Sequence, residues 1–394
     1  MKALTSDNTV FKLRGASPLG LPEGFQGSGV SRQPCEATQS LRSFKLLGFV
    51  NTRTLSEIEA NINITGCDSM KKIKIEKSPI PIIWLDTLAI IEIYKTKTGK
   101  SFDNRAQKLY DLIKLKVAAG KLICPLGDHE EEIEEDLREV TNTILGLTLG
   151  IRFKANEDIQ QTQVIKAIKL YETNKLPMLT YKDAFYKDPL EEIKRTSPFI
   201  ISVVINSTSE EIGRRKYTKK LNLEELQRTK ENYYMDKDFY EQLEDELMGH
   251  YSATRYVYET LMHKSRNKLP FTEREFNQIN NMLAIPLTYW KRYKSNGLNG
   301  YIEFLKSVEY KNLPYVDINA RMTADLFTSK RKLIDSGDPT DISNISTLLP
   351  FCNYVLTDKD QMNRIKRQNI DKKYDTYVYS MSNIDELFDK LENL

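Results

Sequence analysis

The stretch LPFCNYVLTD, residues 349–358, is a short apolar run that ends in a carboxylate. The apolar residues predict a buried β-strand with Asp358 at its carboxyl end. The run IIWL, residues 82–85, has the same form and is followed by Asp86. In an open parallel sheet, the carboxyl ends of the strands border one crevice where ligands bind. We therefore expect the two aspartates to lie close together.

Two further acidic segments are predicted to reach the same crevice. Glu131 and Glu132 open a helix after the apolar run at 122–125, and Asp338 and Asp341 begin the helix that leads into the stretch quoted above. Crowded carboxylates repel one another unless a cation is present. Their hard oxygen atoms select Mg²⁺ or Mn²⁺, so the pattern predicts a metal site.

The aspartates also have a simpler interpretation as helix caps. Asp86, Asp341 and Asp358 each stand at the start of a helical pattern, where an Asp side chain accepts hydrogen bonds from the free amides of the first turn. Asp341 is the better metal ligand of its segment and Asp338 the better cap or supporting residue, although the reverse assignment stays open. Convergence of several such residues in one crevice favours the metal site.

The acidic run at 128–136 is mostly typical of a solvated helix face. Ile133 marks its buried side, so Glu132 or its neighbour Glu131 lies nearest the core. His129 is assigned to the rim of the site or to a structural role. One glutamate of this run is expected to point inward.

The composition predicts a soluble, cytoplasmic globular protein without a membrane partner. Of the 394 residues, 40% are hydrophobic, which is enough for a sizeable core. The formal net charge of +3 gives no global attraction to nucleic acid. The four cysteines lack metal-site spacing, and no apolar run approaches the roughly 20 residues that span a bilayer.

The pattern along the chain predicts a parallel α/β core that is interrupted by helices. Residues 1–69 are expected to be a poorly ordered extension, or to precede the true start at Met70. The first part of the core covers 70–205, a helical insertion covers 206–311, and the second part of the core covers 312–394.

Hydrophobic periodicity predicts the individual elements within this division. Strands are predicted at 82–85, 122–125, 353–357 and 376–379. Helices are predicted at 102–119, 128–148, 157–172, 188–195, 222–248, 249–266, 272–284, 313–335, 341–349 and 382–392.

Other enzymes that use a carboxylate at a strand end fit the chain less well. A haloacid-dehalogenase-type phosphatase needs a second Asp two positions after the first, and Leu88 occupies that position. The sequence also lacks the glycine-rich loops of nucleotide-binding folds and the GxSxG elbow of serine hydrolases.

The order of the motifs resembles the PIN-like nuclease superfamily. The matching segments are Asp86-Thr87, PLGDHEEE at 125–132, DPTD at 338–341, LPFCN at 349–353 and TD at 357–358. The resemblance covers roughly 78–200 and 312–380. It implies a parallel-sheet, Rossmannoid core, Mg²⁺ or Mn²⁺ as cofactor, and cleavage of phosphodiester bonds, usually in RNA.

The resemblance also implies which residues form the site. The metal-binding and catalytic residues would be Asp86, Glu132, Asp341 and Asp358, and the supporting or alternative residues would be Glu131, Asp338, Thr357 and His129. The chain departs from the compact family form in its long helical insertion. It also has Asn353 where many relatives have Asp, which leaves the number of metal ions open.

Two basic, aromatic runs are candidates for holding a nucleic acid outside the acidic crevice. They are RRKYTKK at 214–220 and YWKRYK at 289–294, which combine charge for phosphates with rings for stacking. The ordinary alternative is a basic helix surface with buried aromatics. The predicted nucleic-acid contacts are Arg214, Arg215, Lys219, Lys220, Lys291 and Arg292.

Two functional hypotheses follow from these patterns. The first is a metal-dependent endonuclease, with RNA favoured over DNA as substrate. The second is a catalytically silent PIN-like module that binds nucleic acid or a regulatory protein partner. A toxin or antiviral effector held inactive by such a partner lies between the two.

Overall fold

The computed structural model describes residues 73–127, 137–171, 173, 177–194, 220, 221, 223–234, 236–330 and 333–394. The α/β class and the parallel pairing are confirmed, and helices dominate. The division into core and insertion stays a prediction, and its segment 1–69 lies outside the described residues. The strands are β1 (Ile75–Glu76), β2 (Ile83–Leu85), β3 (Leu179–Thr180), β4 (Tyr354–Leu356) and β5 (Tyr377–Tyr379).

The central sheet consists of parallel strands. Strand β4 lies between β2 and β5 and pairs with both in parallel. Isolated parallel bridges, Ile82 with Ile123 and Leu126 with Arg152, extend the sheet beyond β2. Strands β1 and β3 form a separate parallel pair. The predicted second strand at 122–125 is therefore present as bridge contacts rather than as a regular strand.

The strand order reverses between β2 and β4. Numbered along the chain, the extended segments at β2, 123–126, 151–153, β4 and β5 lie side by side in the order 3-2-1-4-5. In a sheet of this kind, the crevice beyond the carboxyl ends at the reversal point is the usual place for a ligand. The residues that follow β2 and β4 border that place.

Helices flank the sheet on both faces. In chain order they are α1 (Thr87–Lys97), α2 (Asn104–Ala118), α3 (Leu137–Thr148), α4 (Asn156–Leu170), α5 (Pro189–Lys194), α6 (Phe239–Arg266), α7 (Glu273–Ile279), α8 (Ile285–Lys291), α9 (Gly297–Lys306), α10 (Val308–Lys311), α11 (Pro314–Thr328), α12 (Asp338–Leu348), α13 (Lys359–Arg367), α14 (Ile370–Tyr374) and α15 (Ile384–Glu392).

The alternation of side chains along the strands creates two cores. Ile83 and Leu85 of β2 pack with α1, α2, α3 and α15 on one face of the sheet. Ile82 and Trp84 point to the other face, where they pack with α4, α11, α12 and α13. Asp86 follows Leu85, so the same alternation places it on the face of Ile82 and Trp84, towards α12 and α13.

The helical region between α5 and α11 differs from the predicted helices 222–248 and 249–266 at two boundaries. Residues 237 and 238 are not helical, so the predicted helix 222–248 is interrupted before α6 begins at Phe239. The predicted break at 248–249 is wrong, because α6 runs unbroken from Phe239 to Arg266. A capping box of Asp238 and Glu241 starts the helix, and Gly249 within it is tolerated. A glycine in a helix interior costs only about 1 kcal/mol relative to alanine, which the packing of a long helix can offset.

The same region is not packed as an independent body. Trp290 of α8 and Phe304 of α9 share a hydrophobic cluster with Ala167 and Ile168 of α4 and with the start of α11. Helices α4 and α11 also belong to the core beneath the sheet. The helical region is thus joined to the sheet through these two helices.

Candidate functional site

Asp86 and Thr357 meet across the carboxyl ends of β2 and β4. The Asp86 amide donates to the carbonyl of Leu356 (2.9 Å), which aligns the two strand ends. The Thr357 hydroxyl donates to Asp86 Oδ2 (2.9 Å). The predicted pairing of the two strand ends is therefore observed, and Thr357 contacts the Asp86 carboxylate directly.

The Asp86 carboxylate does not cap the helix that follows it. It makes no side-chain cap bond to α1, and its Oδ2 instead accepts a hydrogen bond from the Thr357 hydroxyl. Burial raises the pKa of Asp86 above its usual value, and the nearby charge of Asp358 raises it further. The capping alternative thus fails for Asp86.

Asp358 combines a capping role with a place in a cleft. Its Oδ1 accepts hydrogen bonds from the amides of Asp360 (2.7 Å) and Gln361 (2.9 Å), so it caps α13. It also lines a cleft of about 530 Å³ beside the start of α12. The capping interpretation therefore describes one oxygen of Asp358, and the residue still borders a space that a ligand can enter.

The cleft is strongly acidic. Its lining consists of the turn at Ser336-Gly337, the amide of Gln361, and the carboxylates of Asp335, Asp338, Asp341, Asp358 and Asp360. Gln361 Nε2 donates to Asp338 Oδ1 (3.2 Å) and to Asp341 Oδ2 (3.4 Å). Asp86 stands apart from this lining and is linked to it through Asp358.

A buried arginine lies behind the acidic cleft. The Arg364 side chain is 3% exposed, and its guanidinium lies 3.5 Å from Asp338 and 3.4 Å from Asp325. Asp338 is itself 2% exposed, and its Oδ2 accepts from the amide of Asp335 (2.8 Å). These contacts hold the Asp338 carboxylate in place, and Asp341 stays the preferred ligand candidate of its segment.

The structure gathers only part of the predicted site. Asp338, Asp341 and Asp358 line the cleft, with Asp338 also contacting Arg364, and Asp86 lies close enough to Asp358 for their charges to interact. Glu131, Glu132 and His129 lie outside the described residues. Within the described ranges, no group of three or more His, Cys, Asp or Glu side chains is arranged to hold a metal ion.

The basic candidates are only partly described. Arg214, Arg215 and Lys219 lie outside the described residues, and Lys220 is exposed at 4.0 Å from Glu224. Lys291 and Arg292 are exposed at the end of α8. Trp290 between Tyr289 and Lys291 is fully buried and donates to Asn296, so the proposed stacking role is wrong for this ring.

Gln361 and Arg364 were not among the predicted site residues. Two signals in the sequence point to them. Gln361 follows Asp358 by three positions, which is the spacing of a capping box. Arg364 is three residues further on, beside Ile365, and this helical spacing places both polar residues on the buried face of α13.

Neither a protein-family model, nor a curated protein, nor a solved structure matches the chain. None of the helices in the described ranges combines the length and the apolar character that a bilayer crossing needs.

Proposed function

We propose that the chain is a metal-dependent nuclease of the PIN-like type, which hydrolyses phosphodiester bonds with RNA as the favoured substrate. The observation that carries this proposal is the position of Asp86 and Asp358 at the carboxyl ends of β2 and β4, on either side of the reversal in strand order. Such a reversal is where α/β sheets bind ligands, and the residues there are carboxylates.

The donor atoms at this position suit Mg²⁺ or Mn²⁺. Asp341 and Asp358 present carboxylate oxygens to the cleft, and Glu132 is the candidate for a further ligand from the segment outside the described residues. Hard oxygen donors are what these ions prefer. A bound ion supplies charge for the phosphate and lowers the pKa of water at the site.

The chain's own residues then have separate tasks. Thr357 holds the Asp86 carboxylate in one orientation. Capping of α13 fixes Asp358, and Gln361 holds Asp341 and Asp338 on the opposite wall. A nucleic acid is bound by exposed cations such as Lys291 and Arg292 outside the cleft.

The decisive experiment is cleavage of single-stranded RNA by the purified chain with Mn²⁺, followed by replacement of single aspartates. Asp86→Asn, Asp341→Asn and Asp358→Asn should each abolish the Mn²⁺-dependent cleavage, because each removes charge from the site. Their metal-free melting temperatures should equal or exceed that of the wild type, since relief of carboxylate repulsion is stabilising.

A matched control separates loss of charge from loss of a helix cap. Asp103 caps α2 through Arg105, as Asp358 caps α13, but its helix lies on the other face of the sheet. Asn caps about as well as Asp, so Asp103→Asn and Asp358→Asn should have similar stability. Only Asp358→Asn should lose cleavage. Full cleavage by Asp86→Asn or Asp358→Asn would refute the proposal.

A specific observation favours the silent binding module as the second candidate. Asp338 is engaged by Arg364 and Gln361, and the described residues contain no ready group of metal ligands. In this alternative, the buried Arg364 neutralises part of the acidic cleft permanently. An inactive wild type without Mn²⁺ binding, but with RNA binding that Mn²⁺ does not change, would support it.

A further inference from the structure

The side chain of Gln361 is turned away from its own helix. As the third residue after the cap Asp358, it has the position from which a Gln normally bonds back to the cap amide. Gln361 does not make this bond. Its Nε2 instead donates to Asp338 and Asp341 across the cleft.

The carbonyl oxygen of the Gln361 side-chain amide receives no hydrogen bond from the residues that the structure describes. Gln361 is 1% exposed, and its Oε1 is buried without a hydrogen bond from any of them. A reversed amide would point Oε1 at two carboxylates, so the charges fix the observed orientation. A buried carbonyl oxygen without a donor is unfavourable. A cation in the cleft that Gln361 lines would remove this cost.

We infer that Gln361 is a ligand of the divalent cation, through Oε1, beside Asp358 and Asp341. This inference rests on the proposed function and assigns the site a neutral oxygen ligand that the acidic motifs do not contain. Amide oxygens of Asn and Gln are regular ligands of hard cations. A neutral ligand also suits a cleft lined by several aspartates, where a further carboxylate would add repulsion.

The test measures Mn²⁺ binding directly, without cleavage. Isothermal titration with Mn²⁺ should give a Kd for Gln361→Met that is weaker by about 10-fold or more than that of the wild type, the loss typical for residues that support a metal site. Met has a similar shape and lacks both the oxygen and the donor. Gln368→Met is the matched control, because Gln368 ends the same helix and bonds Asp325 away from the cleft. Its Kd should be unchanged.

Gln361→Glu separates ligation from mere positioning. If Oε1 is a ligand, a carboxylate there should lower the metal-free melting temperature and increase the rise in melting temperature that Mn²⁺ causes. If Gln361 only positions Asp338 and Asp341 through Nε2, the same variant should lose this rise, and the inference fails.

The outcomes also distinguish this inference from the proposed function. Wild-type affinity for Mn²⁺ in Gln361→Met would overturn the inference and leave the nuclease proposal intact. Binding of Mn²⁺ by Gln361 without any cleavage would sustain the inference and count against the nuclease. A wild type that does not bind Mn²⁺ would overturn both.

Discussion

The two ends of the central sheet treat their polar groups in opposite ways. We call the residues before β4 and β5, together with Lys77, the amino edge, and the residues after β2 and β4, with the start of α12, the acidic edge. At the amino edge, Asn353 Oδ1 accepts from the amide of Ile82 (3.0 Å). Lys77 Nζ donates to the carbonyl of Cys352 (2.6 Å) and to Thr376 (3.0 Å).

At the acidic edge, like charges are brought together instead. Burial and the neighbouring charge of Asp358 raise the pKa of Asp86, and within the described ranges the buried Oε1 of Gln361 receives no hydrogen bond. The amino edge thus serves the fold, whereas the acidic edge is arranged at the expense of stability. Sites that bind ligands often have this character.

The largest effect is expected at Arg364, where the acidic edge is tied to the core. Arg364→Met leaves Asp338 buried without its cation, and breaking a buried ion pair in this way typically costs about 3–5 kcal/mol. The free energy of unfolding in urea measures the loss. The double variant with Asp338→Asn should recover part of it, because the buried charge is then absent.

Arg367→Met is the control for this prediction. Arg367 also contacts Asp325 (2.7 Å from Nε), but its side chain is 58% exposed, so its loss should cost clearly less. Equal losses for the two arginines would mean that burial of the Arg364 pair does not govern the stability of this edge.

The second prediction concerns pH and the amino edge. Burial lowers the pKa of Lys77 from 10.5 to about 8, against the opposing effect of Cys352 and Asp375. The unfolded chain therefore binds more protons than the folded one between these values, and stability should rise with pH in this window. The shift corresponds to roughly 3 kcal/mol.

Lys77→Met isolates this contribution. The unfolding free energy of the wild type minus that of the variant should increase between about pH 8 and 10.5. Groups that do not interact with Lys77 titrate in both proteins and cancel in the difference. A difference that stays flat with pH would show that Lys77 is solvated in solution.

The third prediction contrasts Asn353 with Asp86. Asn353→Ala removes the acceptor of the buried Ile82 amide, which should cost about 1–3 kcal/mol. Mn²⁺ binding should be unchanged, because Asn353 lies at the opposite end of β4 from Asp358. Asp86→Asn should have the opposite effect: it should lower the affinity for Mn²⁺ and leave the free energy of unfolding unchanged. Loss of Mn²⁺ affinity in Asn353→Ala would break the distinction between the two edges.

At the acidic edge, the sequence predicts only the positions of residues that directly follow a strand. Asp86 and Asp358 follow apolar runs, and parallel pairing then brings them together, as the hydrogen bond from Thr357 to Asp86 and the effect of the Asp358 charge on the Asp86 pKa show. Gln361 and Arg364 could not be assigned in the same way. Their partners Asp338 and Asp341 are set by the packing of α13 on α12, which no local pattern encodes.

Local propensity also misled in two places. The predicted break at 248–249 falls inside α6, which continues through Gly249. The basic surroundings of Trp290 suggested a stacking ring, although the indole is fully buried in the cluster of α4, α8 and α9. In both cases tertiary packing decides, and a window of a few residues does not contain it.

The smallest effect is expected for the exposed cations of α8. Lys291→Ala together with Arg292→Ala should weaken RNA binding similarly for all sequences and make its salt dependence shallower, by about one in the logarithmic slope for each cation that binds a phosphate. The double variant removes the contact of Arg292 with the Tyr289 ring (5.2 Å). It leaves the buried Trp290 in place, so the helix should keep its fold. Fluorescence anisotropy in the Asp358→Asn background, with chelator present, measures binding without cleavage.

The matched control removes the same charge from the opposite face of the sheet. Lys97 and Lys114 are exposed on α1 and α2, which pack with the other core. If the nucleic acid follows the α8 side, Lys97→Ala with Lys114→Ala should leave both affinity and salt slope unchanged. Replacing Arg214, Arg215, Lys219 and Lys220 by Ala applies the same test to the other basic run, at 214–220, and should likewise weaken binding and make the salt slope shallower. Equal weakening by the α1 and α2 pair would mean that net charge, and not a defined path, attracts the RNA.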